Sequence, residues 1–238
     1  MSNTFLLIHG AWHGKWCFKE IIPLLTLKGH EVIAIDLPGH GENKMDFSRI
    51  NLASYVHAVI DTLKMFKKPI YLVGHSLGGV VISQVAEKMP KHIHKLIYIA
   101  GFLPENGYSL TDEVQRSLPI INSAPTFHAD KLKNEITIQP DAEKIQAYFY
   151  NCSPEISVDF ALKHLQPQPF QPFLDKVSLS HRFLRVKKLY IECLRDHVVQ
   201  IEDQRRMYQK VNCDVATLDT DHSPFFSKPE DLVHFLCL

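Results

Sequence analysis

Six short apolar runs punctuate the chain, each closed by glycine, proline or a charged cluster. They are FLLIHG (5–10), EVIAIDLPGHG (31–41), IYLVGHS (70–76), KLIYIAGF (95–102), KKLYIECLRDH (187–197) and CDVATLDTDH (213–222). None alternates apolar with polar, which is the pattern of strands covered on both faces. Segments with helical spacing lie between them. One places Trp16, Ile21, Leu24 and Leu25 on a stripe that stops at Gly29, and another aligns Leu52, Tyr55, Val56, Val59, Ile60 and Leu63. LGGVVISQVAEKM, DQRRMYQKV and KPEDLVHFLCL read as three further helices. This alternation predicts an α/β fold: a doubly wound, mostly parallel six-stranded sheet flanked by helices.

The pattern breaks between residues 103 and 185. That segment is rich in Pro, Gln and isolated aromatics, and it is too long for a plain loop. It reads as a mainly helical cap, inserted between a first core part (1–102) and a second (186–238). Its QPQPFQPF stretch (166–173) reads as a rigid turn.

Composition narrows the function. Lys plus Arg equals Asp plus Glu at 26 each, so nucleic acid and anionic membrane have no electrostatic footprint to meet. No run approaches a membrane span, and the start carries no secretory pattern. Cys17, Cys152, Cys193, Cys213 and Cys237 are scattered and odd in number, which fits a reducing cytoplasm. The neutral charge leaves a homodimer open. His9/His13 and His92/His94 have no third ligand at supporting spacing, so neither metal nor cofactor is expected.

Chemistry concentrates at Gly74-His75-Ser76-Leu77-Gly78. The G-x-S-x-G pentapeptide is weak alone, but here an apolar strand leads into it and a helix leaves it at once. Such a turn lifts a serine hydroxyl above the sheet edge, beside the N–H groups of a helix start. A serine nucleophile needs a base, and the base an orienting carboxylate, in the chain order Ser, acid, His. The fifth apolar run ends at Asp196 and the sixth reaches His222, where strand carboxyl ends gather catalytic groups. The alternatives are placed worse. Asp219 and Asp221 share the His222 segment, Glu192 lies inside a strand, His197 precedes the position of the base, His234 is in the last helix, and the turn aims His75 away from Ser76. The oxyanion donors are expected to be the backbone N–H groups of Leu77 and of Ala11 in the HGAWHGKW loop. Trp12 and Trp16 in that loop read as a packed pair.

The chain resembles the α/β-hydrolase superfamily, and within it the plant methylesterase, salicylate-binding and hydroxynitrile lyase group with its bacterial esterase relatives. The likeness rests on LLIHGAWHGKWCF, LVGHSLGG, the cap segments YFYNCSP and LQPQPFQPF, LYIECLRDHVVQIEDQRRM and DHSPFFSKPEDL. It implies the same triad, Ser76, Asp196 and His222, and the same donors, Ala11 and Leu77. It also bears on the reaction. The lyases carry Thr after the first strand and Lys after the catalytic His, to hold departing cyanide. Here those positions are Gly10 and Ser223.

The expected function is therefore a serine carboxylic-ester hydrolase acting on a small-molecule ester, for example the methyl ester of an aromatic or cyclic acid. Two alternatives stand beside it: a hydrolase-fold ligand receptor with vestigial catalysis, and a hydroxynitrile lyase. Tyr148, Phe149, Tyr150, Phe160 and Phe170 are candidates for the pocket wall, with most expected in the cap core. Pro224, Phe225 and Phe226 are expected to end the last strand and wall the pocket.

Overall fold

The computed structural model describes residues 2–117, 119 and 124–238, so positions 118 and 120–123 of the expected insertion lie outside the described residues. In chain order the strands are β1 (Thr4–Ile8), β2 (Glu31–Ile35), β3 (Ile70–His75), β4 (Ile93–Ile99), β5 (Phe127–Asp130), β6 (Glu135–Ile138), β7 (Gln168–Pro169), β8 (Lys188–Cys193) and β9 (Asp214–Leu218). The main sheet has the order β2-β1-β3-β4-β8-β9, with every neighbouring pair parallel. The chain runs outward from β1 to β2, then crosses back over β1 to β3. The carboxyl ends of β1 and β3 thus flank the switch point of the sheet, where α/β folds bind ligands.

Core burial follows the apolar runs. Phe5, Leu6, Leu7, Ile8, Leu72, Val73, Leu96, Ile97, Ile99 and Ile191 are fully buried. The edges depart from the expected two-sided cover. β2 is mostly half-buried, and β9 exposes Asp214, Val215 and Thr217, because an edge strand is flanked by a neighbour on one side only. Helix Leu52–Leu63 starts with a capping box, in which Asn51 and Ser54 bond each other's backbone N–H. The first expected helix is split into a 3-10 turn at Lys15–Phe18 and an α-helix at Ile21–Leu27. Pro23, which has no N–H, falls in the opening turn of the latter, where none is needed.

All six strands of the main sheet stop short of the carboxyl ends of the runs that announced them, four of them by three residues or more. β2 stops before Asp36, whose carboxylate accepts the N–H groups of Lys15 and Glu42. β4 stops at Ile99, β8 at Cys193 and β9 at Leu218. Their continuations leave the ladder to build the loops over the sheet.

The insertion contains helices at Leu110–Gln115, Ala142–Phe149, Glu155–His164, Gln171–Leu174 and His181–Leu184. It also carries an antiparallel sheet, β5-β6-β7, that the sequence pattern did not reveal. Strands of four, four and two residues are too short to establish a period. The stretch read as a rigid turn supplies β7, with Pro169 on the sheet edge, where its missing N–H is tolerated.

Candidate active site

Ser76 follows β3 directly with a left-handed φ of 51°, unusual for a residue with a side chain. Its N–H donates to the Ile99 carbonyl (3.2 Å), and its own carbonyl accepts from Gly79 (2.9 Å) and Phe102 (3.0 Å). The glycines make this turn possible. A Cβ at Gly74 would lie 2.6 Å from the Gly78 carbonyl oxygen, and one at Gly78 would lie 2.6 Å from that of Ile8. Gly79 is tightest: a Cβ there would sit 2.3 Å from the Phe102 oxygen. Gly79→Ala is expected to destabilise the fold by about 3 kcal/mol, because backbone rather than a flexible side chain must move; urea denaturation measures it.

His222 and Asp196 meet as the chain order suggested. Nδ1–H of His222 donates to Asp196 Oδ2 at 2.7 Å, and both side chains are buried. Neither residue ends a strand, contrary to the sequence reading. Both lie in the loops after β8 and β9, which pair briefly through Leu194 N–H to Leu218 O and Arg195 N–H to Thr220 O. Asp196 Oδ1 also accepts the N–H groups of Val198 (2.7 Å) and Val199 (2.9 Å). Gln204 Nε2 approaches Oδ2 at 3.4 Å. These donors compensate a carboxylate taken out of water.

The competing side chains are engaged elsewhere. Asp219 pairs with Arg195, and Glu192 with Arg205, Tyr208 and Thr217. Asp221 accepts from Ser223 N–H, Ser227, Cys152 N–H and Ser153. His197 donates to the Ala147 carbonyl. His75 does turn from Ser76, and it packs on the candidate base instead. Its Nε2–H donates to the His222 carbonyl (2.8 Å), and the two ring centroids are 4.6 Å apart. The Ser76 hydroxyl makes no hydrogen bond to a described residue, and Nε2 of His222 has none either.

The β1 loop lies against this turn. A Cβ at Gly10 would lie 2.8 Å from the Ser76 Cβ and 2.9 Å from Nδ1 of His75, so glycine is what lets the two loops meet. The N–H groups of Ala11 and Leu77 have no acceptor among the described residues. Side chains hold the peptides around Ala11. His9 Nδ1–H donates to the Gly10 carbonyl while its Nε2 accepts Leu37 N–H. His13 Nδ1–H donates to the Ala11 carbonyl at 2.7 Å. Trp12, with φ of 60°, donates its N–H to Gln168 and accepts Gln166 N–H.

Burial drives the histidines of this region towards the neutral form. The His13 and His40 imidazoles are lowered from 6.5 to about 4, and His9 and His75 are lowered well below 6.5, in each case first by desolvation. A histidine whose folded pKa is depressed is neutral in both states above pH 6.5. Between 6.5 and 4 only the unfolded chain takes the proton, so stability is lost as pH falls through that window. His13 and His40 should each contribute a loss of about 3 kcal/mol by pH 4. Urea-unfolding free energies measured from pH 7 to 4.5 should fall steeply, and His40→Asn should flatten the slope.

This geometry places a serine on a strained strand–helix turn beside a His–Asp pair. The model of the alpha/beta hydrolase family matches residues 5–235. The chain belongs to the alpha/beta hydrolase family. Arabidopsis thaliana proteins named as chloroplastic methylesterases are among its relatives. Methylesterase 11 is 33% identical over 97% of this chain, which spans 62% of that relative's length. A pyrethroid hydrolase of Sphingobium wenxiniae is 32% identical, over 97% of this chain and 85% of its own. The crystal structure of a pyrethroid hydrolase from Sphingobium faniae superposes with a TM-score of 0.89 at 28% identity, covering 100% of this chain and 96% of that one.

In this alpha/beta hydrolase a cavity of about 260 Å³ opens over Ser76, Ala11 and Leu77. Its walls are apolar at Trp12, Phe102, Phe127, Ile136, Tyr148, Phe173 and Val198, and polar at Thr111, Ser117, Gln200 and Asp203. Of the five cap aromatics expected as wall candidates only Tyr148 lines it. Phe149 and Tyr150 are buried behind it, and Phe160 stacks on His164. Phe127 comes from the unforeseen sheet, and Trp12 packs on Phe127, Phe149 and Phe173. Trp16 packs with His13, Phe160, His164 and Phe226, so the two tryptophans do not form the expected pair. Phe225 and Phe226 do not wall the pocket. They belong to a short helix, Pro224–Ser227, and pack beneath the loops, Phe225 on His75 and Phe226 on Tyr150.

Proposed function

We propose that the protein is a serine carboxylic-ester hydrolase of small esters, with Ser76 as nucleophile, His222 as base and Asp196 as orienting acid. The observation that carries this reading is the 2.7 Å His222–Asp196 contact beside the left-handed Ser76 turn. Asp196 fixes the tautomer with the proton on Nδ1, which leaves Nε2 of His222 as the lone-pair acceptor. Ser76 Oγ attacks the ester carbonyl as its proton passes to Nε2. The N–H groups of Ala11 and Leu77 hold the resulting oxyanion. The alkoxide leaves with that proton as the alcohol. Water, deprotonated by the same imidazole, then releases the acid and restores Ser76.

The likeness to esterases supports an ester as the substrate class. The cavity of about 260 Å³ lies at the small end of ligand pockets, below the usual range of roughly 300–1,000 Å³. Its aromatic walls favour methyl esters of aromatic or cyclic acids. The segment 103–185 acts as a cap that supplies half of the wall. Hydroxynitrile lysis is disfavoured on a local ground: the threonine of the lyases would bring its Cβ against Ser76 at position 10, and buried Ser223 offers no cation for cyanide. A panel of methyl esters of aromatic acids against p-nitrophenyl acetate and butyrate tests the reading. Acid should be released from both groups. Tight binding of an aromatic ester without turnover, or cyanide release from mandelonitrile, would instead favour the receptor or the lyase.

A further inference from the structure

One four-residue turn of the insertion touches all three loops of the proposed site. Tyr150 follows helix Ala142–Phe149, and the turn is closed by Ser153 N–H to the Tyr150 carbonyl (3.0 Å). Tyr150 is fully buried, and its O–H meets His13 Nε2 at 2.7 Å. His13 spends its own N–H on the Ala11 carbonyl, so the phenol is the donor and the imidazole the acceptor. Asn151 Nδ2 donates to the carbonyl of Arg195, the residue before Asp196 (3.1 Å). Cys152 N–H (2.8 Å) and Ser153 Oγ–H (2.9 Å) donate to Oδ2 of Asp221, the residue before His222. The oxyanion, acid and base loops each follow a different strand, β1, β8 and β9.

We propose that the turn Tyr150–Ser153 is a clamp that sets these three loops relative to one another, with Tyr150 acting through His13 as the positioning residue for the Ala11 donor. This deepens the esterase reading and rests on it. The clamp belongs to the insertion, so seating the cap and assembling the oxyanion site are one event. The strain at Trp12, φ 60°, lies in the same loop and is held by further bonds from the insertion at Gln166 and Gln168. Phe at position 150 would keep the ring against Phe226 and delete only the donor.

The test compares wild type, Tyr150→Phe, Ser153→Ala, Ser153→Thr and Ser76→Ala on one p-nitrophenyl ester, with a trifluoromethyl ketone as transition-state analogue. Tyr150→Phe should lower kcat by roughly 10- to 100-fold, the range seen when a supporting contact behind a reactive group is lost, while KM stays within about twofold. The analogue should weaken by a factor close to the loss in kcat, because it needs the oxyanion donors and ground-state binding does not. Ser153→Ala should lose a smaller factor, about fivefold, which Ser153→Thr restores by returning the hydroxyl. A Tyr150→Phe enzyme with wild-type kcat and analogue affinity overturns the clamp and leaves the esterase reading intact. So does a kcat loss matched by an equal rise in KM. Wild-type protein with no more turnover than Ser76→Ala overturns the esterase reading itself.

Discussion

Ser76→Ala should abolish hydrolysis of short-chain p-nitrophenyl esters, with kcat falling by about 10⁴- to 10⁶-fold while the protein stays folded. The size follows from the proposed mechanism: without the Ser76 hydroxyl no acyl-enzyme forms at the turn, and what remains is donor stabilisation and binding. The expected stability of the variant follows from local structure. The left-handed φ of 51° strains alanine and serine alike. The hydroxyl has no hydrogen-bond partner among the described residues, so deleting it orphans nothing. The glycines that fix the turn, Gly74, Gly78 and Gly79, are untouched. Circular dichroism and thermal melting should match wild type, and substrate binding should survive in a form measurable by titration. Turnover within a few-fold of wild type would remove Ser76 from the nucleophile role.

The sheet and the loops that carry the proposed triad were legible in the sequence for the same reason. Buried parallel strands need unbroken apolar runs, and the loops at their carboxyl ends follow from where those runs stop. Strand order is not written in any single run. It was the match to Ser–acid–His chain order that placed Asp196 and His222, and the structure brings both together. The error in their placement is instructive. Each run continues through a polar stretch to the next candidate residue, whereas the hydrogen-bonded ladder ends at Cys193 and Leu218, so the runs overstate β8 and β9. What could not be read is what joins distant segments. The Tyr150–His13 and Ser153–Asp221 contacts span large sequence separations and have no local signature. The Gln168 network, which links Trp12, His40 and Tyr55, is of the same kind. A lone Tyr, Gln or Asp looks the same in sequence whether it is solvated or bridges two loops. Only the resemblance of YFYNCSP and LQPQPFQPF to one esterase group singled these segments out.

Asp196→Asn isolates the orienting carboxylate and is expected to lower kcat by about 10⁴-fold with little change in KM. The amide cannot reproduce the bonds of the acid. Its oxygen will stay where Val198 and Val199 donate, because turning the NH₂ towards those two N–H groups would oppose donors to donors. The NH₂ therefore takes the place of Oδ2, facing His222 Nδ1 and Gln204 Nε2. Nδ1 then accepts rather than donates, which moves the imidazole proton to Nε2. That is the nitrogen that must take the proton of Ser76, so the base is blocked although the ring has not moved. Raising pH should recover activity in proportion to hydroxide, as direct deprotonation of the serine replaces the lost base, whereas wild type should plateau. The imidazole proton signals of the variant should report the changed tautomer by NMR. A variant that kept both wild-type kcat and the Nδ1–H tautomer would show that Asp196 serves the stability of its loop and not the reaction.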